Sequence, residues 1–453
     1  MRRLSAARRR PRRPSGGRPE RADTHRDRAS RYGEGVNDAA NPGASGTQQP
    51  ETPPPVPLLV PRDGTPDPVD TAEALAEAAA MLASADGPVA VDAERASGYR
   101  YGQRAYLVQL RRGGAQAGGT VLIDPLPFDD LAVIDAAIVD TEWVLHAASQ
   151  DLPCLAELGL RPRKLFDTEL AGRLAGFERV GLGAMTERVL GRTLEKGHSA
   201  ADWSTRPLPV EWLTYAALDV ELLVELRDAL AEELTRQGKQ AWAEEEFAAL
   251  VASKPPAPRA EPWRRTSGIH RVRTARGLAR VRALWEARDE IARRRDLAPG
   301  RVLPDSAIVA AAQADPADER ALLSLPVYSG RATRRLASTW LDALGKARAL
   351  PQNGLPTTAT GGDGPPPAHR WADRDPAAAG RLTRAKAVVA GLSSEYDVPA
   401  ENLIAPDTVR RVCWSPPEPL ALDGVEQSLR AHGAREWQIG LVGPGLLEAL
   451  SAE

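Results

Sequence analysis

Asp92 and Glu94 stand two residues apart in the run Pro88-Val-Ala-Val-Asp-Ala-Glu94. Strand side chains alternate between faces, so both carboxylates project to the same side. Val89 and Val91 before them are apolar, which places the pair at the end of a buried strand. Two like charges there repel each other, and one pKa rises unless cations hold them. Two further acids extend the set. Asp151 closes His146-Ala-Ala-Ser-Gln-Asp151, where a strand-to-helix connection lifts it to the carboxyl edge of a sheet. Asp219 lies four residues after Tyr215 in Tyr215-Ala-Ala-Leu-Asp219, so the two share one helix face beside an apolar stripe. Four carboxylates converging from a strand, a turn and a helix suit hard divalent cations such as Mg²⁺ or Mn²⁺. Two such ions about 3.5–4 Å apart generate hydroxide and neutralise both oxygens of an in-line phosphoryl displacement. Tyr215 would then orient the attacking water or help deprotonate it. The competing reading is a solvated strand end and ordinary amphipathic helix residues.

The elements that must position these acids form a mixed α/β pattern over residues 57–250. An Ala-rich helix precedes Gly87, and the strand to Glu94 follows. Ala105–Leu110 and Thr120–Ile123 then read as a hairpin around the Gly-rich stretch 113–119, and Trp143–Ala147 as a fourth strand. The pattern turns helical afterwards, at 152–158, 168–175, 182–190 and a long run at 210–236. That last run has Pro209 at its start and Gly238 just past its end. Strands first and helices later predict one α/β domain with a mixed sheet. Residues 251–270 are Pro-rich and read as a linker, 271–350 as helical, 351–374 as a second linker, and 375–453 as helical again. Both helical stretches contain a Pro-Asp-Ser/Thr turn, Pro304-Asp305-Ser306 and Pro406-Asp407-Thr408. A diverged duplication is expected from their equal placement.

The length of 453 residues fits about three domains. Composition narrows the chemistry. Two cysteines, Cys154 and Cys413, make neither a disulfide framework nor a thiolate zinc site, and six scattered histidines show no metal-ligand spacing. A reducing, cytoplasmic setting is expected, with no membrane span and no secretory leader. The net charge of −2 is unevenly spread. Residues 1–31 carry twelve arginines against Glu20, Asp23 and Asp27, and residues 264–295 carry eleven against Glu286, Asp289 and Glu290. Residues 1–56 lack hydrophobic periodicity and read as a disordered basic tail. The second basic stretch is a solvated helix face or a track for a phosphate backbone.

The order Asp-x-Glu, Asp, Tyr-x-x-x-Asp resembles the DEDD superfamily of 3′–5′ exonucleases, in its tyrosine subclass. Flanking stretches are similar to the ribonuclease D family in particular: Arg104-Ala-Tyr-Leu-Val-Gln-Leu110, Leu122-Ile-Asp-Pro-Leu126, His146-Ala147, Phe166-Asp-Thr168 and Asp202-Trp-Ser-Thr-Arg-Pro-Leu208. The likeness is close over about 85–235. Residues 271–350 resemble an HRDC domain through Leu284-Trp-Glu-Ala-Arg288, Val302-Leu-Pro-Asp305 and Leu322-Leu-Ser-Leu325, and 375–453 a second HRDC-like unit. The resemblance implies a ribonuclease H-like mixed sheet followed by all-α HRDC-like domains. It implies Asp92, Glu94, Asp151 and Asp219 as ligands of two Mg²⁺ or Mn²⁺ ions, with Tyr215 on the water. Lys196, Trp203 and Arg206 are candidates for contact with substrate, core packing being the competing role for Trp203. His198 lacks the spacing of the histidine subclass and reads as a loop residue.

The function so implied is trimming of RNA 3′ ends, in tRNA precursors or other small stable RNAs, by a monomer that releases nucleoside 5′-monophosphates. Two alternatives remain from the sequence: a DNA 3′–5′ exonuclease in repair, and an inactive RNA-binding scaffold. Retention of all four acids and Tyr215 speaks against the scaffold.

Overall fold

Val89–Arg95 (β2) is the strand on which the architecture turns. Val89, Val91 and Ala93 enter the core on one face, while Ala90, Asp92 and Glu94 point to the other. Ala105–Arg112 (β3) and Thr120–Ile123 (β4) continue from it as an antiparallel meander. Glu142–Leu145 (β5) and Lys164–Asp167 (β6) add to its other side in parallel, giving the order β4-β3-β2-β5-β6. The mixed α/β sheet expected from the sequence is therefore present. β6 is one strand more than the pattern revealed, because only Leu165 and Phe166 in it are apolar. A separate parallel pair joins Val56–Leu58 (β1) to Arg192–Leu194 (β7). The computed structural model describes residues 54–452 apart from 115–117, 195–196, 199, 255–256, 258 and 359–363. Nearly all of the basic tail of residues 1–56, and Lys196, lie outside the described residues.

Helices cover both faces of the sheet. Ala72–Ser84 starts at Thr71, whose side chain accepts the Ala74 N–H, and buries Leu75, Ala78, Ala79 and Leu82 on the face opposite the acids. The long helix expected over 210–236 is broken. Val210–Glu221 and Leu223–Arg236 meet at Leu222, where the backbone leaves helical values at φ −109° and ψ 2°. The two halves pack in different clusters. Leu213, Ala216 and Ala217 pack with Leu107, Leu122 and Trp203, whereas Leu226, Leu230 and Leu234 belong to a different cluster that includes Leu174, Met185 and Phe247.

The helical half has two modules. The first buries Trp263, Leu284, Ile308, Tyr328 and Trp340 in its own core, so the stretch expected to be a linker contributes Trp263. The second, with Trp371, Leu382, Val412 and Leu446, shares a core with the sheet domain. Trp437 stacks on Trp242 at 4.7 Å and donates its indole N–H to Glu246. The modules repeat one plan. Each contains a 21-residue helix, Ala275–Arg295 and Pro376–Tyr396, closed by an aspartate in the left-handed region, Asp296 at φ 48° and Asp397 at φ 50°. A four-residue helix follows in each, Pro299–Val302 and Ala400–Leu403, then one at Asp305–Ala314 and Pro406–Trp414.

The first module docks on the loop that leaves the acid-bearing strand. Tyr101 donates its N–H to Asp296 and its hydroxyl to Asp289, and the Ala298 N–H bonds the Tyr99 carbonyl. Arg301 bonds the Gly98 carbonyl and lies 4.0 Å from the Tyr99 ring centroid. Among the described residues, no helix is long and apolar enough to cross a membrane.

Candidate active site

The strand end, the helix and the β5 turn bring the acids together to different degrees. Asp92 and Glu94 from β2 and Asp219 from helix Val210–Glu221 offer carboxylate oxygens that all lie within 4.8 Å of one another. Asp151 stands outside that trio; its Oδ1 faces Arg95 Nη2 at 3.3 Å. Helix Val210–Glu221 is pinned over the sheet by Glu221, two residues past Asp219. Its buried carboxylate lies 3.5 Å from Arg111 and 3.6 Å from Arg62.

The turn that carries Asp151 is built around Asp167, a residue the sequence showed only as part of a flanking stretch. After Leu145 the chain takes a left-handed step at Ala147 (φ 62°), then a 3-10 turn over Ala148–Gln150 that delivers Asp151. The Asp167 carboxylate accepts the N–H groups of Ala147 and Ala148 at 3.0 and 2.9 Å, and caps its own helix through Glu169 and Leu170. Beside it the His146 ring pairs with Thr168 Oγ1 at 2.8 Å, and burial pushes that imidazole down to about 4, so it is neutral.

Crowding of the acids shows in their protonation. Burial, and then Asp92, Asp219 and Asp151, push Glu94 up to about 10. Burial and Asp92 push Asp151 up to about 8, against the pull of Arg95. Burial likewise raises Asp92 and Asp219. A buried, oxygen-only donor set with excess negative charge fits hard divalent cations, which would offset the repulsion. Tyr215 hydrogen-bonds Asp219, and burial raises its pKa further beyond neutrality, so it meets a ligand as a phenol.

The three residues expected at the substrate fare differently. Trp203 is fully buried, packed 5.4 Å from Trp212 and 6.5 Å from Tyr215, so its ring presents no face to a substrate and instead backs Tyr215. Arg206 is also a structural group. Its Nε and Nη2 clamp Asp124 at 2.6 and 2.8 Å, and its remaining bonds go to the carbonyls of Trp203, Thr205 and Tyr106. No donor is left for a phosphate. Lys196 falls outside the described residues. His198, read as a loop residue, is exposed in a loop at φ 50°, with its ring edge-on to Tyr215 at 5.9 Å and 6.0 Å from Trp212. Nothing local in the sequence signals that contact, which joins positions seventeen residues apart.

Comparison with known proteins identifies the family. The model of a 3′–5′ exonuclease domain matches residues 66–235, that of the HRDC domain residues 277–344, and that of a 3′ to 5′ exonuclease C-terminal domain residues 364–450. The ribonuclease D of Gluconacetobacter diazotrophicus is 32% identical over 343 residues, 74% of this chain and 83% of that protein. That of Granulibacter bethesdensis is 33% identical over 277 residues, 59% and 68% respectively. A crystal structure of a protein from Bifidobacterium adolescentis superposes with a TM-score of 0.80 at 39% identity, over 88% of this chain and all of that one. The structure of Escherichia coli RNase D, described as an exoribonuclease involved in structured RNA processing, gives 0.63 at 26% identity, over 85% and 98%. The chain thus belongs to the ribonuclease D family, and is a hydrolase, a 3′–5′ exonuclease with an HRDC domain.

Proposed function

We propose that this exonuclease trims RNA from the 3′ end, one nucleotide at a time, releasing nucleoside 5′-monophosphates. The convergence of Asp92, Glu94 and Asp219, with Tyr215 bonded to Asp219, carries the reading. RNA as substrate is supported by the names of the relatives, and the structured-RNA role of the Escherichia coli protein makes tRNA precursors and other small stable RNAs the natural class. Asp92, Glu94, Asp151 and Asp219 are the residues that would hold two Mg²⁺ or Mn²⁺ ions. Such ions, when bound, supply water of lowered pKa and positive charge for the entering and leaving oxygens. The Tyr215 phenol, fixed on Asp219, orients the attacking water. The bond from phosphorus to the 3′ oxygen of the preceding nucleotide breaks, and that oxygen leaves as a hydroxyl.

The domain scheme that accompanies this reading is a basic tail, an exonuclease domain over 57–250, and HRDC-like modules over 271–350 and 375–453. The modules would hold the body of the RNA. Their raw basic charge overstates what is free for it. Arg264, Arg276, Arg280, Arg282, Arg288 and Arg293 are bonded to protein acceptors, whereas Arg294 and Arg295 remain exposed at the end of their helix.

The test is degradation of a 5′-labelled RNA with a single-stranded 3′ extension beside the DNA of the same sequence. A one-nucleotide ladder on RNA supports the proposal. A ladder confined to DNA favours a repair exonuclease, and tight binding with no ladder favours a scaffold.

A further inference from the structure

Arg95 is the one cation paired with any of the four acids among the described residues, and the acid that it engages is the one left out of the trio. The β2–β3 register slips between Glu94, opposite Leu107, and Arg95, opposite Ala105, leaving Tyr106 as the extra residue. Such irregularities re-aim a side chain beside a site. Here the guanidinium reaches across the strand end to Asp151. It is held loosely: one ion pair at 3.3 Å, no hydrogen bond, and a side chain 26% exposed. Arg206, by contrast, has its donors consumed by protein acceptors.

We propose that Arg95 is a phosphate-binding residue of this exonuclease: Asp151 holds its guanidinium until divalent cations take the carboxylate, and the released guanidinium then engages a phosphodiester of the RNA. The inference rests on the reading of the acids as a divalent-cation site. Charge favours the exchange. Four ionised carboxylates and two dications cancel, so Arg95 leaves the loaded centre with one positive charge, the complement of a single phosphodiester. A planar guanidinium with free donors also suits two phosphate oxygens at once, a geometry that an ammonium does not reproduce.

The full-length protein, Arg95→Gln, Arg95→Lys and Asp92→Ala are compared in two experiments that need no turnover. The first titrates Mn²⁺ by electron paramagnetic resonance without RNA. The second measures binding of a labelled single-stranded RNA in Ca²⁺ as a function of salt. Loss of the competing charge in Arg95→Gln should tighten Mn²⁺ about fivefold or more. Its salt dependence of RNA binding should flatten by about 0.7 in log–log slope, one phosphate contact on a single strand. Arg95→Lys keeps the charge, and should keep the wild-type slope while binding RNA more weakly. An Arg95→Gln protein with wild-type Mn²⁺ affinity, or with an unchanged slope, overturns the proposal. Wild-type Mn²⁺ binding by Asp92→Ala would instead overturn the reading of the site itself.

Discussion

The carboxylate of Asp167 accepts the backbone N–H of Ala147 at 3.0 Å, which ties the start of helix Thr168–Leu174 to the left-handed step that delivers Asp151. A buried carboxylate that satisfies four backbone donors both caps a helix and fixes a turn, so its two losses are separable. Asp167→Asn keeps the shape but exchanges acceptors for an amide that also donates. It should cost about 1–3 kcal/mol in denaturant unfolding. Exonuclease kcat should fall further than that loss of folded population explains, because Asp151 is no longer held in place. An unchanged kcat would mean that the turn is fixed by other contacts.

Protonation gives the metal dependence its direction. At pH 7 Glu94, pushed up to about 10 by burial and its neighbouring acids, holds its proton before cations load. Divalent cations must therefore expel protons, and affinity should rise with pH and fall on acidification. Calorimetry in buffers of different ionisation enthalpy checks this; no proton release at pH 7 would contradict it.

The same shift makes a stability prediction. A carboxyl raised in the folded state contributes full stability below its unfolded value, here 4.5 for Glu94, and loses it as pH climbs towards about 10. In EDTA the melting temperature should drop between pH 6 and 9, and Glu94→Gln should flatten that drop. A drop identical in the variant would place its origin elsewhere.

Tyr215 contributes a hydroxyl to Asp219 and a ring to the wall of Trp203, Trp212 and His198. Tyr215→Phe removes only the first. Its kcat should fall by about 10²-fold or more, with KM and Mn²⁺ affinity near wild type. A raised KM with unchanged kcat would make Tyr215 a binding group rather than a positioner of water.

Arg206 is a clamp between Asp124 and three backbone carbonyls. Arg206→Gln should lower unfolding free energy by about 2–3 kcal/mol and leave the salt dependence of RNA binding unchanged. A slope lowered as for a lost phosphate contact would restore the substrate role expected from the sequence.

Local periodicity exposed much of this molecule. Period-two spacing put Asp92 and Glu94 on one face, and the i, i+4 pair joined Tyr215 to Asp219, because each relation spans a few residues of one element. What stayed hidden depends on distant partners. Arg206 resembles a free cation until Asp124, 82 residues away, is placed beside it. Trp203 looks available until the helix from Val210 closes over it. Asp167 and Arg95 gain meaning only when β6 and the β2–β3 slip bring them to the Asp151 turn. The break at Leu222 was hidden for the same reason, since apolar spacing runs on through it while the burial partners change.

The most direct measurement of the central claim is nucleoside 5′-monophosphate release from a 3′-extended RNA across a Mg²⁺ series. Wild type, Asp92→Ala and Asp219→Asn proteins are compared, each with an EDTA control. Saturable, Mg²⁺-dependent release by the wild type, reduced about 10³-fold or more in both variants, is the result that a carboxylate-held cation centre requires. Release that persists in EDTA, or survives in either variant, would contradict it.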